Sequence, residues 1–280
     1  MRLTLTLAAV VAPVVIVASL TAPVVAQRAA KPPAAPTPHW SDGRVNLGPL
    51  PGGKGHWNTG VGNLSEASIK MNGAFLVDPS DIDKVAPFQP WAKALVQYRL
   101  ATAGKDDPHP RCIPPAGPRQ FNTPYGLEIV DQPELKRILV LSGGGSRSWR
   151  VIYMDGRPHP NGDDVNPTYY GHSVGHWEKD TLVVDTIGFN ERFWLDRRGL
   201  PHTDQMHTLE RFTRTGLSGM KYEVTVDDPG AYTAPWTGWF YMNFSPDQEL
   251  WEYICQQGNY AGELMLGSFK TMDRTTTTVP

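Results

Sequence analysis

Histidine and carboxylate side chains that could transfer protons are concentrated in two stretches of the chain. The first stretch, residues 169–190 (YYGHSVGHWEKDTLVVDTIGFN), contains His172, His176 and Asp185. It is typical of a β-hairpin, because a polar and aromatic run is separated from a β-branched, apolar run by Glu178-Lys179-Asp180. A histidine held beside a carboxylate is a common pair in general acid–base catalysis. The hairpin is therefore the first candidate site.

The register of this hairpin decides whether its titratable groups can meet. A two-residue turn at Lys179-Asp180 would pair Val174 with Asp185 and put Asp185 diagonally between the two histidines on one face. A three-residue turn would move Asp185 to the other face. We favour the two-residue turn, in which Asp185 orients His172 for proton transfer. The alternative is that Asp185 caps a turn or binds a backbone N–H group.

The second stretch, residues 200–212 (LPHTDQMHTLERF), contains His202, His207 and Glu210. Because consecutive elements usually become neighbours, we expect this segment to meet His172 in one pocket. The spacing matches no standard metal motif, so no cofactor is predicted, although a divalent metal is an alternative. A regular strand would turn His207 and Glu210 to opposite faces. His159 lies between two prolines and is expected to be structural unless it shares a rim with the other histidines.

Aromatic residues crowd the hairpin and its exit, and most of them are expected to be core. We interpret Tyr170 and Trp194 as ligand-binding residues, since aromatic walls with a few polar groups suit a planar or cyclic ligand. Arg211 could bind an anionic group or form a salt bridge. The sequence has no GxSxG, HExxH or dinucleotide-binding motif.

The elements that must position these residues are mainly β. Glycine (27) and proline (26) are frequent and only 19% of residues are charged, which favours many short turns. About nine short strand candidates follow one another, the first at Leu127–Asp131 and the last at Glu252–Cys255. Successive hairpins predict an antiparallel β-barrel or strongly curved sheet, lipocalin-like in general form. One N-terminal helix, residues 90–103, is expected to pack against it.

The chain divides into three parts. Residues 1–26 resemble a signal peptide with small residues before a cleavage point, although a retained membrane anchor is the alternative. Residues 27–62 form a Pro/Gly-rich linker and an irregular arm that could clasp the domain through Trp40 and Trp57. Residues 63–280 form a single β-rich domain. We therefore expect a periplasmic or secreted protein with no membrane attachment once the signal is cleaved.

The two cysteines, Cys112 and Cys255, are expected to form a disulfide, because a lone pair in an exported chain is usually oxidised. A thiol nucleophile is the alternative. The net charge of −2 argues against nucleic acid or an anionic membrane as the main partner. The sequence leaves the oligomeric state open.

Several motifs resemble those of a family of secreted bacterial proteins of uncharacterised function. They are DGRPHP at 155–160, the hairpin at 169–190, LPHTDQMH at 200–207 and YEVTVDDPGAYTAPW at 222–236. The segments around Cys112 and Cys255 are also similar to that family's cysteine motifs. The resemblance covers residues 89–267 and implies no particular activity. One departure is Lys179, where the similar hairpins usually have glycine, so a different or mildly strained turn is expected.

Together these patterns predict an exported enzyme acting on a small organic substrate, aromatic or cyclic, by histidine and carboxylate acid–base chemistry. Lyase, isomerase and hydrolase reactions all fit. The predicted catalytic residues are His172, Asp185, His202, His207 and Glu210. Two other functions remain open: a non-catalytic β-barrel that binds a small molecule, and an envelope interaction protein.

Overall fold

In the part of the chain that the structure describes, nine strands close into a barrel in which each strand pairs with its neighbour in sequence and β9 returns to β1. The computed structural model describes residues 35–59, 79–144 and 148–255, which all belong to one compact unit. The predicted signal peptide at 1–26 lies outside these residues. None of the described helices is long and apolar enough to cross a membrane.

The strands and the one described α-helix have the following bounds: β1 (Gly55–Thr59), α1 (Pro90–Ala101), β2 (Leu127–Gln132), β3 (Arg137–Ser142), β4 (Trp149–Tyr153), β5 (His172–Glu178), β6 (Thr181–Ile187), β7 (His207–Arg214), β8 (Gly219–Asp227) and β9 (Trp236–Pro246). The prediction of a mainly β protein built as a barrel is confirmed. Helix α1 begins at the expected residue, Pro90, and buries Ala92 and Val96.

One strand pair differs from the expected antiparallel pattern. Strands β4 and β5 are parallel, with Ile152 opposite Ser173 and Tyr153 opposite Val174. A parallel pair needs a connection that returns to the starting end of the sheet, which takes a dozen or more residues. Residues 154–171, which contain the DGRPHP motif, make this connection. The crossover therefore brings His159 back towards the start of β5.

The segments before the first expected strand and at the last expected strand also differ from expectation. Residues 55–59, expected to belong to an irregular arm, form β1 and pair with both β2 and β9. Trp57 is fully buried and its indole N–H donates to the Leu47 carbonyl at 2.7 Å, so it belongs to the core. The expected strand Glu252–Cys255 is not formed. This segment is instead held by the Cys112–Cys255 disulfide, whose Cα atoms are 5.4 Å apart.

Aromatic side chains fill much of the barrel interior. The short 3-10 helix Gly117–Phe121 places Phe121 against Phe212 and Tyr222, with ring centroids 5.0 and 4.8 Å away. Tyr222 also packs against Phe240 at 4.9 Å. Side chains of β7 alternate between buried and partly exposed positions along its length. Its buried side chains therefore point into the barrel and the others point outwards.

Candidate functional site

The hairpin formed by β5 and β6 has the two-residue turn that the sequence favours. Val174 lies opposite Asp185, and the turn residue Lys179 has a left-handed φ of 54°. On the other side of β6, Asp185 lies opposite Leu209 of β7. Asp185 is thus the diagonal neighbour of His172 on β5 and of His207 on β7. All three side chains point to the outside of the barrel.

Gly171 fixes the start of β5. Its φ is 62°, and a Cβ built at this position would lie 2.5 Å from the Ile187 carbonyl oxygen. Only glycine fits such a close approach without a shift of the backbone. The entry of the chain into β5, and with it the position of His172, therefore depends on this glycine.

His159 completes the site, although the sequence predicted a structural role for it. Its Nδ1 atom lies 2.8 Å from Nδ1 of His172, and its Nε2 atom lies 2.9 Å from Oδ1 of Asp185. The same carboxylate oxygen lies 2.9 Å from Nε2 of His207. We call these four residues, His159, His172, Asp185 and His207, the Asp185 cluster. The sequence predicts that Asp185 orients His172 directly. In the structure, Asp185 reaches His172 through His159.

The hydrogen bonds of the Asp185 cluster assign its tautomers. A carboxylate only accepts, so the Nε2–H groups of His159 and His207 both donate to Asp185. In the tautomer of His159 that has a lone pair on Nδ1, this atom accepts from Nδ1–H of His172. This arrangement leaves two lone pairs available at the two ends of the hydrogen-bonded series. They are the lone pairs on Nε2 of His172 and Nδ1 of His207. Both ends could take a proton from a bound molecule.

His172 lies in surroundings that favour its neutral form. Its ring stacks on Tyr153 with centroids 5.3 Å apart, and the Arg157 guanidinium lies 3.9 Å from the centre of the same tyrosine ring. Burial lowers the pKa of His172, and the nearby His159 and Arg157 lower it further, against a smaller opposing effect of Asp155. A base must be unprotonated to act, and these contacts keep His172 in that state.

The Asp185 cluster is partly accessible. The side chains of His159, Asp185 and His207 are 20%, 35% and 41% exposed. A molecule on the outer wall of the barrel could therefore contact them. His176, which the hairpin register places on the same face, is exposed and lies 3.4 Å from Glu178.

His202 does not join the Asp185 cluster. It is 5% exposed, and its ring nitrogens lie 3.1 Å from the Phe193 carbonyl and 3.3 Å from the Thr203 carbonyl. Its ring also packs against Phe193, with centroids 4.2 Å apart. Burial lowers the pKa of His202 to about 4. His202 is therefore a buried, neutral ring in the loop that follows β6, and its single N–H donates to one of these two carbonyls.

Glu210 lies on the other side of the β7 strand from His207, inside the barrel. Its carboxylate accepts from Nη1 and Nη2 of Arg150 and from the Tyr222 hydroxyl, the Nη1 and hydroxyl distances being 3.0 and 2.8 Å. Arg150 and Glu210 are each 1% exposed. Arg150 also donates to Ser173 at 2.9 Å and to Thr186 at 2.7 Å. The expectation that Glu210 shares a pocket with His172 therefore does not match this placement.

The three residues expected to bind ligand are separate from one another. The Tyr170 hydroxyl donates to Ser148, and burial raises its pKa to about 12. Trp194 is buried, with the Arg99 guanidinium 4.3 Å from its ring centre. Arg211 forms an ion pair with Glu178 at 2.6 Å on the outer face. Each of them has a structural partner in place of a ligand.

The described residues contain no group of three or more histidine, cysteine, aspartate or glutamate side chains arranged to hold a metal ion. The geometry of the Asp185 cluster explains why. Both ring nitrogens of His159 are directed at other members of the cluster, so the lone pairs do not converge on one point.

Comparisons with known proteins add no relative. No family model, curated protein or solved structure matches the chain. The function must therefore be inferred from the site itself.

Proposed function

We propose that this protein is an exported enzyme in which the Asp185 cluster acts as a general base towards a small organic substrate. The observation that supports the proposal most directly is the chain of hydrogen bonds from His172 through His159 to Asp185. Such a chain fixes the tautomer of the terminal histidine and stabilises the positive charge that forms when it takes a proton.

His172 is the base in this proposal, and Asp185 and His159 position it. Its Nε2 lone pair accepts a proton from the substrate, and the charge that develops is shared through His159 with the Asp185 carboxylate. The same Nε2–H of His172 can then return the proton to the product, while His207 donates to the Asp185 carboxylate oxygen and helps to hold it in place. A group that takes and returns a proton fits a lyase, an isomerase or a hydrolase.

The surroundings of His172 suit an aromatic or cyclic substrate. Tyr153 stacks on the base, and the planar Arg157 guanidinium, which pairs with Asp155 at 2.6 Å, covers the tyrosine ring. Because the Arg157 side chain is 45% exposed, an aromatic or cyclic substrate could stack on it beside the base. The exposed end of the cluster would then meet the substrate on the barrel's outer wall. This location differs from the barrel interior, where a lipocalin-like protein would bind its ligand.

A non-catalytic barrel that binds its ligand inside is the weaker candidate. The interior is filled by the aromatic contacts of Phe121, Phe212 and Tyr222 and by the Arg150–Glu210 ion pair. A ligand in this space would have to displace a buried ion pair. Removing one partner from such a pair costs several kcal/mol.

The proposal is tested by comparing His172→Ala with His176→Ala, which the register places on the same face. Each protein is incubated in D2O with a panel of cyclic and aromatic carbonyl compounds and esters, and proton exchange and hydrolysis are followed by NMR. We expect wild-type activity on at least one class, a loss of about 10²- to 10⁴-fold in His172→Ala, and no change in His176→Ala.

A second measurement tests the base without any substrate. Nitrogen-15 spectra of the histidine rings report which nitrogen carries the proton. We expect His172 to carry it on Nδ1, and Asp185→Asn to weaken that preference. Activity that survives in His172→Ala, or a His172 ring protonated on Nε2, would contradict the proposal.

A further inference from the structure

A cavity of about 320 Å³ opens at the end of the barrel where β2 passes into β3. Its volume is within the range of small-molecule sites, about 300–1,000 Å³, and the mouths of β-barrels are common places for such sites. None of the residues that line this cavity belongs to the Asp185 cluster. A ligand here would therefore bind independently of the proposed function.

The cavity lies at the mouth of the barrel and not on its outer wall. Ile138, which lines it, is 2% exposed and lies opposite Asp131 in the β2–β3 ladder. Trp177, also in the lining, lies opposite the buried Leu182 in the β5–β6 hairpin. Because directly paired residues share one face of a sheet, Asp131 and Trp177 point inwards at the ends of their strands.

Part of the lining is apolar. It includes Ile138, Met154 and Trp177, and the last two pack against the hydrophobic core while part of each side chain stays accessible. The indole of Trp177 offers a flat surface, and the unbranched side chain of Met154 adapts to ligands of different shape. A short alkyl chain or a single ring suits this part of the cavity.

The carboxylates of the lining already have a partner. Arg44 donates to Asp42 at 2.8 Å and to Asp131 at 2.5 Å, so one guanidinium bridges both acidic side chains. These contacts use the charge of Arg44 within the protein. A charged ligand must therefore be bound by other residues of the lining.

Two cations of the lining have no carboxylate partner in the part of the chain that the structure describes. They are Lys136, which is exposed, and Arg137, which is partly exposed. The only side-chain hydrogen bond of Arg137 to a described residue runs from Nε to the Gln132 amide oxygen at 2.6 Å. The Nη groups of Arg137 and Nζ of Lys136 are thus donors available to a ligand, and a carboxylate is the natural acceptor for such cations.

The backbone holds Lys136 beside the apolar part of the lining. Lys136 ends the short 3-10 helix Pro133–Leu135 with a left-handed φ of 46°. Its carbonyl oxygen accepts from the Met154 N–H at 2.8 Å. A molecule with a carboxylate at one end and an apolar body at the other can therefore contact both residues at once.

We propose that this barrel mouth binds a small carboxylic acid with an apolar body. Lys136 and Arg137 bind the carboxylate, and the apolar body lies on Met154 and Trp177. Short fatty acids and aromatic acids share this chemistry, and the experiment compares them directly.

The test follows the methyl group of Met154 by NMR in protein labelled with carbon-13 at its methionine methyl groups, with the resonance assigned from Met154→Leu. The probes are hexanoate, 3-phenylpropanoate, hexan-1-ol and acetate. We expect both larger acids to shift the resonance and to saturate it, with a Kd of about 1 mM. Hexan-1-ol lacks the charge and should bind about five-fold more weakly than hexanoate, the effect of two partly exposed ion pairs. Acetate lacks the apolar body and should bind at least about ten-fold more weakly.

A matched pair of variants separates charge recognition from folding. The double variant Lys136→Gln/Arg137→Gln keeps polar side chains and removes both positive charges. It should bind hexanoate no more tightly than hexan-1-ol and should bind hexan-1-ol as the wild type does. The control is Lys179→Gln, because Lys179 is also exposed and left-handed, with a φ of 54°, but does not line the cavity. This control should bind hexanoate like the wild type.

Three results would overturn the proposal. One is the absence of any shift of the Met154 resonance by the four probes at about 20 mM. Another is equal affinity of the wild type for hexanoate and hexan-1-ol. The third is an unchanged preference for hexanoate in the double variant. Because His172→Ala leaves the lining intact, this variant should bind hexanoate like the wild type, so each proposal can fail without the other.

Discussion

Replacing Glu210 by leucine should destabilise the barrel strongly, because this carboxylate balances a buried guanidinium. The change removes the acceptor of three hydrogen bonds, two from Arg150 and one from the Tyr222 hydroxyl. Arg150 would remain 1% exposed with only the neutral hydroxyl groups of Ser173 and Thr186 as partners. The Tyr222 hydroxyl would lose the acceptor it has in the wild type.

The size of the effect follows from the burial of both partners. Removing one member of a buried ion pair costs about 3–5 kcal/mol, because the other charge is left uncompensated. A barrel domain of this size loses about 2–4 °C of melting temperature per kcal/mol. Glu210→Leu should therefore lower the melting temperature by roughly 6–20 °C.

The assay is urea unfolding followed by tryptophan fluorescence. It compares the single variants Glu210→Leu and Arg150→Met with the double variant Arg150→Met/Glu210→Leu. Removing both charges leaves no uncompensated ion, so the double variant should recover most of the lost free energy of unfolding. A cost below about 1 kcal/mol for Glu210→Leu would refute the reasoning. So would a double variant that is no more stable than the less stable single variant.

The double variant also separates structure from chemistry at Glu210. If Glu210 serves only the interior ion pair, the folded double variant should keep the activity that His172→Ala removes. Loss of activity in a stable double variant would return Glu210 to the catalytic residues that the sequence predicted.

Two further predictions concern stability. Replacing both Cys112 and Cys255 by alanine should lower the free energy of unfolding by up to about 5 kcal/mol, measured by urea unfolding, because the disulfide spans a sequence separation of 143 residues. His202 has a native pKa of about 4, below the usual 6.5, so the unfolded chain binds its proton first as the pH falls. The free energy of unfolding is therefore unaffected by His202 above about pH 6.5 and falls progressively towards pH 4, by a total of roughly 3 kcal/mol. His202→Gln should flatten this part of the stability–pH curve, and an unchanged slope would show that His202 is not buried as described.

Local patterns in the sequence predict the strands and the central hairpin well. The break at Lys179-Asp180 and the alternation on either side of it predict the observed pairing of Val174 with Asp185. Lys179 adopts the left-handed conformation that glycine would adopt more easily, as the departure from the similar hairpins suggested. Such features depend on neighbours in sequence, so a single sequence contains them.

The sequence does not predict features that depend on partners far along the chain. Strand β1 is short, and its pairing with β2 and β9, both far along the chain, makes it a strand. His159 was expected to be structural because its motif contains two prolines and no partner. Its partners, His172 and Asp185, become neighbours only because the crossover after β4 returns to the start of a parallel strand. Nothing in the local pattern indicates that the crossover makes a parallel pair.

The face of the barrel wall on which a carboxylate lies decides its role in adjacent strands. Asp185 on β6 and Glu210 on β7 are similar groups, but Asp185 points outwards and is 35% exposed, whereas Glu210 points inwards and is 1% exposed. Inside the barrel an uncompensated charge costs several kcal/mol, so the Glu210 carboxylate is paired with Arg150. On the outer wall water screens charges, so a charge that forms beside Asp185 costs little stability. Period-two alternation puts His207 and Glu210 on opposite faces of one strand, so the histidine lies beside the proposed site on the outer face and the carboxylate lies in the barrel interior.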